Sequence, residues 1–362
     1  MHLDIFYSGL IGFAVAILAC LLILFTLNLH AKWTLDNLPG VQKFHQTNKV
    51  PRVGGVAILV GLLVIEWVNP IILGSSFEIL FLAGFIPFLY GFMEDLLKNV
   101  SASARLVATG LGPIVFIALS GTYLNHLDIP VIDTWMAWAP VGMVFSVFAV
   151  SGVTNSINII DGFNGLAIGV VILILLAFSY VAYGTQDTDL FNLLILLVAV
   201  SAGFMLLNYP FGKIFMGDGG AYFLGFIVGQ IAILLPMRNP EVSPWVSLLI
   251  CAYPVVEVLY SMYRRAFKKM SSAQPDGEHL HTLIKIKLIR AHFPNLPQYQ
   301  RSALVAPLIW VMVAALGAVA CVFSDNLPVM VVSFGLFVLA YHFTYLWLAN
   351  QKTPPTRVEN GN

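Results

Sequence analysis

Charged side chains are scarce in this chain. Only 10% of its 362 residues are Asp, Glu, Lys or Arg, while 59% are hydrophobic. A soluble domain of ordinary composition has about a quarter charged residues, so the scarcity excludes that class. Apolar runs long enough to cross a bilayer recur along the whole chain. The sequence therefore predicts an all-α, polytopic membrane protein whose length is taken up by membrane-spanning helices.

The low cysteine content and the zero net charge also give no sign of a disulfide-rich protein or a nucleic-acid-binding protein. Cys20, Cys251 and Cys321 all lie inside apolar runs, so we expect no disulfide framework. The formal net charge is zero, and we expect no nucleic-acid partner. The N-terminal apolar run lacks a small-residue cleavage site and is too long for a signal peptide, so we expect it to remain as a span.

The apolar runs predict about eleven transmembrane helices in one domain. No short-period repeat is visible, and we expect a single integral membrane domain over residues 1–350 and a disordered cytoplasmic tail over residues 351–362. The predicted spans cover residues 6–29, 53–73, 77–93, 104–121, 138–158, 165–183, 188–208, 220–236, 243–263, 302–323 and 328–349.

The basic residues predict the orientation. Eleven spans place the two termini on opposite sides. If the loop after the first span is cytoplasmic, every Lys and Arg except Arg238 falls on the cytoplasmic side. The positive-inside rule then predicts an N-terminus outside the cell and a C-terminus in the cytoplasm.

Polar clusters fall at the cytoplasmic ends of the predicted spans. A transporter places its key polar groups near the bilayer midplane, so this pattern favours an enzyme supplied from the cytoplasm. The sequence contains no nucleophile elbow, Walker loop or dinucleotide fingerprint.

One cluster ends the fifth predicted span. Asn155, Asn158 and Asp161 are spaced three apart, so a helix would place them on one face. Gly162 and Gly165 then favour a turn. Helix capping could explain one of the polar residues but not the whole face. Amides and a carboxylate on a membrane helix indicate a site.

Two more clusters carry carboxylates. Glu94 and Asp95 are adjacent at a span end, where they would repel each other unless a cation lies nearby; hard oxygen ligands suit Mg²⁺. Asp218 lies between Gly217 and Gly219 just before an apolar helix. It could be a helix cap, but glycines on both sides would let a metal ion or a phosphate approach closely.

Histidines and cations form the remaining clusters. His279 and His281 share a face if the segment is extended, and together they could bind phosphate oxygens or a metal ion. Glu257 is an intramembrane carboxylate; it is either functional or paired internally with Arg264, seven residues further on.

An early basic loop precedes a glycine pair. Lys43 and His45 lie in this loop, which would suit an anionic lipid headgroup; a purely topological role for its positive charge stays open. Carboxylates that hold Mg²⁺ and cations that hold phosphate are what phosphoryl transfer requires.

In this combination and order the motifs resemble those of the polyprenyl-phosphate N-acetylhexosamine-1-phosphate transferases, glycosyltransferase family 4. The resemblance runs from about Lys43 to His281. An acidic pair with a basic companion falls on Glu94, Asp95 and Lys98. The other motif positions fall on Asn155, Asn158, Asp161 and Asn164; on Asn208, Phe215, Gly217, Asp218 and Gly220; on His279 and His281; and on Lys43, His45, Pro51 and Gly55.

Two residues depart from the family pattern. Glu94 replaces the first aspartate of the acidic pair and keeps a carboxylate on a longer side chain. Asn164 replaces an aspartate and removes a charge, so no mechanism that uses this position as a base or a charged metal ligand applies here.

The resemblance implies transfer of a sugar-1-phosphate from a UDP-sugar to undecaprenyl phosphate at a bacterial inner membrane, with release of UMP and with Mg²⁺, or Mn²⁺ as a substitute. It implies a catalytic group of Asp95, Asp161 and Glu94 and metal ligands Asp218 and Asp161. Whether Asp95 or Asp161 is the second ligand or a base stays open. The implied substrate-binding residues are Asn158, Asn164, Asn208, Lys98, His279, His281, Lys43, His45 and Arg264.

Several alternatives stay open. The resemblance favours GlcNAc or a related 2-acetamido sugar over the MurNAc-pentapeptide of peptidoglycan synthesis. A transporter of nucleotide-sugar or lipid-linked sugar is the alternative from another class; it would need a polar path to the outer face. A homodimer is also left open.

Overall fold

The chain is built from helices. The computed structural model describes residues 2–35, 50–70, 72–73, 75–98, 102–267 and 277–352. Within these ranges the one β contact is an antiparallel bridge between Leu35 and Pro51. The prediction of an all-α fold is confirmed. The predicted tail lies outside the described residues from position 353 onward.

Seventeen α-helices follow one another along the described chain. Their bounds are α1 His2–Phe25, α2 Leu27–Thr34, α3 Gly55–Val68, α4 Ser75–Leu97, α5 Ala102–Ser120, α6 Pro130–Met136, α7 Ala139–Ile160, α8 Leu166–Gly184, α9 Thr188–Asn208, α10 Gly217–Arg238, α11 Pro244–Ile250, α12 Ala252–Phe267, α13 Leu280–Leu283, α14 Arg290–His292, α15 Gln298–Ala303, α16 Val305–Val322 and α17 Leu327–Asn350. A π-helical turn, Ile284–Ile289, joins α13 to α14.

Eight helices of the described chain are long and apolar enough to cross a membrane. They are α1, α4, α7, α8, α9, α10, α17 and a helical segment that contains α16. The bent pair of α11 and α12 makes a ninth candidate, and α3 and α5 are apolar but shorter. The chain is a multi-pass membrane protein; the count of eleven crossings and the orientation stay predictions.

Two predicted spans differ in detail from the helices that form. The span predicted over 6–29 ends at Phe25, and α2 continues separately. The span predicted over 243–263 is broken between α11 and α12 by a bend of 77°. Pro254 accounts for the break, because it cannot donate to the carbonyl of Ile250 and its ring clashes with that carbonyl.

Helix α10 is the interior of the bundle. In its membrane-spanning part, 89% of the residues are buried, against 39% for α4 and 44% for α7, both of which pack on it. Glycine permits the close approach: a Cβ on Gly91 of α4 would lie 2.5 Å from the backbone carbon of Asp218, and one on Gly225 would lie 2.8 Å from the Cα of Thr154 in α7. The N-terminus of α10 is therefore enclosed by its neighbours.

Candidate active site

The site forms at the N-terminus of α10. Gly217 begins this helix with a φ of +78°, a left-handed conformation that glycine adopts without strain. The backbone N–H groups of Asp218 and Gly219 donate to the two carboxylate oxygens of Asp95, each over 3.0 Å. Asp95 lies on α4 and is buried. Its carboxylate caps α10 at the positive end of the helix dipole.

Cationic and amide groups surround the carboxylate of Asp218. Its Oδ1 accepts hydrogen bonds from Asn158 Nδ2 at 3.0 Å and from Arg52 Nη2 at 2.9 Å. Arg105 Nη1 lies 3.9 Å from Oδ2, and Arg52 Nε lies 4.0 Å from Oδ1 of Asp95. Arg52, from the segment before α3, therefore reaches both carboxylates, and Arg105 of α5 reaches that of Asp218.

Asp161 joins this group from the end of α7. The helix stops at Ile160, so Asp161 lies just past it, and its carboxylate faces the backbone N–H of Gly217. Burial raises the pKa of Asp161 to about 8; Arg52 and the Gly217 N–H act against this shift, and the nearby charge of Asp218 adds to it. Its Oδ2 is buried and has no hydrogen-bond partner among the described residues.

Three carboxylates from three helices or helix ends thus converge on one helix N-terminus. Asp95, Asp161 and Asp218 are separated widely in the sequence, and all are less than 9% exposed. Buried carboxylates at a membrane protein's core are costly unless cations, amides or a ligand compensate them. Arg52, Asn158 and the backbone N–H groups of α10 compensate part of this charge.

The residues fit a magnesium ion held by few protein ligands. Among the described residues, no three His, Cys, Asp or Glu side chains are arranged as a metal-binding group. Mg²⁺ commonly takes one or two carboxylates and completes its shell with water and substrate phosphates. The buried, unpartnered Oδ2 of Asp161 beside Asp218 suits this pattern.

The two predicted histidines lie together on one buried carboxylate. His279 Nδ1 is 3.0 Å from Glu257 Oε1, and His281 Nδ1 is 3.8 Å from Glu257 Oε2. Their rings are parallel, with centroids 5.3 Å apart, so they share a face as predicted, although His281 is already inside α13. Phe163 packs edge-on against His281, with centroids 5.2 Å apart. His281 therefore contacts the turn that follows Asp161.

Arg264 does not form the ion pair with Glu257 that the sequence left open. Its Nη1 lies 2.7 Å from Glu278 Oε2, and its guanidinium lies 6.0 Å from the ring centre of Tyr345. The side chain is buried. Arg264 thus connects the end of α12 to α17 and to the segment before His279.

The carboxamide of Asn164 donates to two backbone carbonyls. Nδ2 lies 2.9 Å from the oxygen of Pro210 and 3.2 Å from that of Tyr299. Asn164 is buried. Its amide joins the turn after α7, the loop after α9 and the start of α15, so the structure gives it a scaffold role, and substrate binding by this residue stays a prediction.

Two other asparagines also bind the scaffold. Asn208 Oδ1 accepts the N–H of Gly165 at 2.7 Å, while its Nδ2 donates to the carbonyl of Ile214 at 2.8 Å. Asn155 Nδ2 donates to Thr109 Oγ1 on α5 at 3.1 Å. On the predicted polar face of α7, Asn158 is therefore the residue whose side chain reaches Asp218.

The predicted basic residues are placed differently from one another. Lys98 follows α4 and donates to the carbonyl of Leu35 at the end of α2. Glu94 is half-buried beside Asp95 on α4. Lys43 and His45 lie outside the described residues.

The prediction that glycines keep Asp218 open to close approach is wrong, because protein atoms occupy the space. A Cβ on Gly217 would lie 1.9 Å from the carbonyl oxygen of Arg52, and one on Gly55 would lie 2.3 Å from the Cα of Gly220. These glycines allow backbones to pack together. The spacing of glycines in the sequence cannot show whether they pack against another backbone or leave room for a ligand.

Sequence reasoning missed three residues near the site. Arg105 entered the prediction only as a charge on the cytoplasmic side, and Phe163, which lies between two predicted spans, was given no role. Lys285 is buried, donates to Ser302 Oγ at 2.8 Å and lies 5.2 Å from the Phe163 ring centre. Burial and two neighbouring arginines lower its pKa to about 7. Nothing in a basic loop sequence indicates which lysine is buried.

Comparison with known proteins agrees with this geometry. The family model described as glycosyl transferase family 4 matches residues 77–236, the stretch from α4 to α10 that carries Asp95, Asp161 and Asp218. This part of the chain is therefore similar to glycosyl transferase family 4. Among the curated relatives, the undecaprenyl-phosphate alpha-N-acetylglucosaminyl 1-phosphate transferase of Escherichia coli O157:H7 is 28% identical over 89% of this chain and 87% of its own length.

Two further relatives bear similar names. The corresponding transferase of Yersinia pestis is 29% identical over 78% of this chain and 77% of its own. A probable undecaprenyl-phosphate N-acetylglucosaminyl 1-phosphate transferase of Bacillus subtilis is 26% identical over 67% of each chain. The family 4 match ends before Glu257 and the histidine pair, whereas the longer similarity to the E. coli protein extends over most of the chain.

Proposed function

We propose that the chain transfers a sugar-1-phosphate from a UDP-sugar to undecaprenyl phosphate and releases UMP. The observation that carries the proposal is the convergence of Asp95, Asp161 and Asp218 on one helix N-terminus, with Arg52 and Arg105 beside them. The transferase names of the curated relatives support the same reaction.

The donor sugar is proposed to be GlcNAc or a related 2-acetamido sugar. The named relatives support this choice over the MurNAc-pentapeptide of peptidoglycan synthesis. A transporter is disfavoured, because among the described residues the buried carboxylates of α4 and α10 and the one that follows α7 gather at one end of these helices and do not line a path through the bundle.

Phosphoryl transfer depends on positioning and on neutralising negative charge that spreads over phosphate oxygens. Arg52 and Arg105 lie beside Asp218 and would supply two cations to phosphate oxygens bound there. Asp218 and Asp161 would hold Mg²⁺, which when bound neutralises the diphosphate of the donor and improves its leaving group. Asn158 fixes the orientation of Asp218 by a hydrogen bond of 3.0 Å.

Asp95 is proposed to position α10 in place of acting as a base. Both of its oxygens accept backbone N–H groups at 3.0 Å. A phosphate monoester is already largely dianionic near neutral pH, so the lipid phosphate needs no strong base before it attacks.

The finer topology belongs to the same proposal. We place the protein in the bacterial cytoplasmic membrane with eleven crossings, the N-terminus outside, and the C-terminus and the active site in the cytoplasm. The support is that every Lys and Arg except Arg238 then lies on the cytoplasmic side.

An exchange reaction tests the proposed function. Purified protein is incubated with radiolabelled UMP, UDP-GlcNAc, the lipid product undecaprenyl-diphospho-GlcNAc and MgCl₂, and label is followed into UDP-GlcNAc. We expect exchange that requires both the lipid and Mg²⁺. Absence of exchange with each member of a panel of UDP-sugars and their lipid products, or exchange without lipid, would contradict the proposal. Uptake of intact UDP-sugar into vesicles would favour the transporter.

A further inference from the structure

Glu257 is the most enclosed carboxylate that the proposed chemistry leaves without a role. It lies on α12 and is 1% exposed. Its Oε1 lies 3.0 Å from His279 Nδ1 and accepts the backbone N–H of Leu280 at 3.2 Å. Its Oε2 lies 3.8 Å from His281 Nδ1. One carboxylate therefore faces the same ring nitrogen of two histidines.

The two imidazoles are held as a parallel pair. Their planes differ by 7°, and both turn Nδ1 toward Glu257, so both turn Nε2 the other way. Phe163 makes an edge contact with the His281 ring. This phenylalanine belongs to the turn that follows Asp161. The carboxylate is thus linked, through the rings, to the loop that carries an active-site aspartate.

Other groups around Glu257 do not replace the histidines as its partners. Tyr253 places its hydroxyl 3.3 Å from His281 Nδ1, and Tyr341 of α17 faces the carboxylate. Arg264, the nearest cation along α12, pairs with Glu278. A buried carboxylate needs hydrogen-bond donors, and His279 Nδ1 and the Leu280 N–H supply them to Oε1. Oε2 has no hydrogen-bond partner among the described residues.

We infer that Glu257 is a positioning residue: it fixes the tautomer and the ring orientation of His279, against which the His281 ring lies parallel, so that Nε2 of His279 is presented to oxygens of the nucleotide-sugar donor. This inference rests on the proposed function for the identity of the ligand. The physical reason is that a carboxylate that accepts the Nδ1 proton holds that proton on Nδ1, which makes Nε2 the nitrogen that acts on a ligand.

The tautomer can be measured without any activity. The chain has 8 histidines, so ¹⁵N-histidine labelling of the detergent-solubilised protein gives a tractable spectrum, and His279→Gln and His281→Gln assign the two signals by their loss. At a pH where the rings are neutral, we expect a protonated Nδ1 in the His279 signal. A neutral His279 with its proton on Nε2 would overturn the inference, whether or not any Glu257 variant folds.

Kinetics then test the consequence. Glu257→Gln keeps the side-chain volume but removes the charge that accepts the Nδ1 proton of His279. We expect KM for the UDP-sugar to rise about 10- to 100-fold, the range found when the carboxylate behind a metal-bound histidine is removed. KM for undecaprenyl phosphate and the melting temperature should change little. A fall in kcat with both KM values unchanged would indicate a structural role only and would contradict the inference.

A double-mutant cycle separates the histidine effect from an independent one. If Glu257 acts through His279, the losses caused by Glu257→Gln and His279→Gln should not add, and the double variant should resemble His279→Gln alone. Additive losses would overturn the inference. A wild-type protein that shows the expected tautomer but no transferase activity would refute the proposed function while leaving the positioning of the rings intact.

Discussion

At the residue scale, Asn164 explains why an amide stands where the family resemblance expects an aspartate. Its Nδ2 donates to the carbonyls of Pro210 and Tyr299. An ionised carboxylate has no proton to donate and would leave both carbonyls facing a negative charge. The two contacts therefore require a hydrogen-bond donor at this position, which an amide provides.

Asn164→Asp should therefore destabilise the protein and bring no gain in rate. Two lost buried hydrogen bonds cost about 1–3 kcal/mol each when partners stay buried, so the melting temperature of the purified protein should fall by several degrees. Differential scanning fluorimetry in detergent measures this shift. A variant that is as stable as wild type and more active would show that the position is catalytic.

Asp218→Asn should reduce UMP exchange by about 100-fold or more, since the change removes the charge that Arg52 and Arg105 face while keeping the size of the side chain. Asp325→Asn, on the exposed loop before α17, serves as the matched control. Exchange by Asp218→Asn equal to that of the control would remove Asp218 from the proposed metal site.

Lys285 predicts a pH dependence of stability. Burial lowers its pKa from 10.5 to about 7, so between these values the unfolded chain binds more protons than the folded one, and stability rises with pH. The unfolding free energy of wild type relative to Lys285→Met should be flat below about pH 7 and should rise from pH 7 toward pH 10. Melting curves across this range measure the difference. A constant difference would show that the lysine is solvated.

At the scale of the helices, backbone contact between α3 and α10 depends on glycine. A Cβ on Gly55 would lie 2.3 Å from the Cα of Gly220, and backbone cannot move aside as a side chain can. Gly55→Ala should therefore lower the melting temperature strongly and reduce exchange activity, because the shift also displaces the Arg52 segment.

Gly152→Ala is the matched control for this change. Gly152 lies inside α7, and apart from the adjacent residues and backbone of its own helix no atom lies within 4 Å of its ideal Cβ position. Alanine there should therefore stabilise the helix by up to about 1 kcal/mol. Equal effects of the two substitutions would contradict the proposed packing of α3 on α10.

The positions of the helices could largely be predicted, because a run of apolar residues has no stable alternative to a helix within a bilayer. The helix break at Pro254 was not predicted, because α4, α5 and α10 each contain a proline and remain continuous. The acidic residues of the site could be predicted, because a carboxylate in an apolar run has a high free-energy cost unless it serves a site. Asn208 hydrogen-bonds Gly165, and Gly217 packs against the backbone of Arg52. Both contacts join residues distant in sequence, so the spacing of motifs cannot predict them.

At the scale of the whole molecule, the predicted orientation can be read from chemical labelling. Asp325→Cys should react with a membrane-impermeant maleimide in intact spheroplasts, whereas Phe211→Cys, exposed on the loop before α10, should react only after permeabilisation. Wild type, whose Cys20 and Cys251 are buried, gives the background. The reverse pattern would place the carboxylate site outside the cell and would contradict a cytoplasmic donor.

The enclosure of α10 also has a consequence for biogenesis. Residues 50–160 supply Arg52, Asp95 and Asn158, but the helix that gathers them ends only at Arg238. While the ribosome is still translating α8 and α9, these buried polar groups have neither Asp218 nor the N–H groups of Asp218 and Gly219 as partners. We expect the nascent chain to remain vulnerable to membrane proteases until α10 enters the groove between α4 and α7.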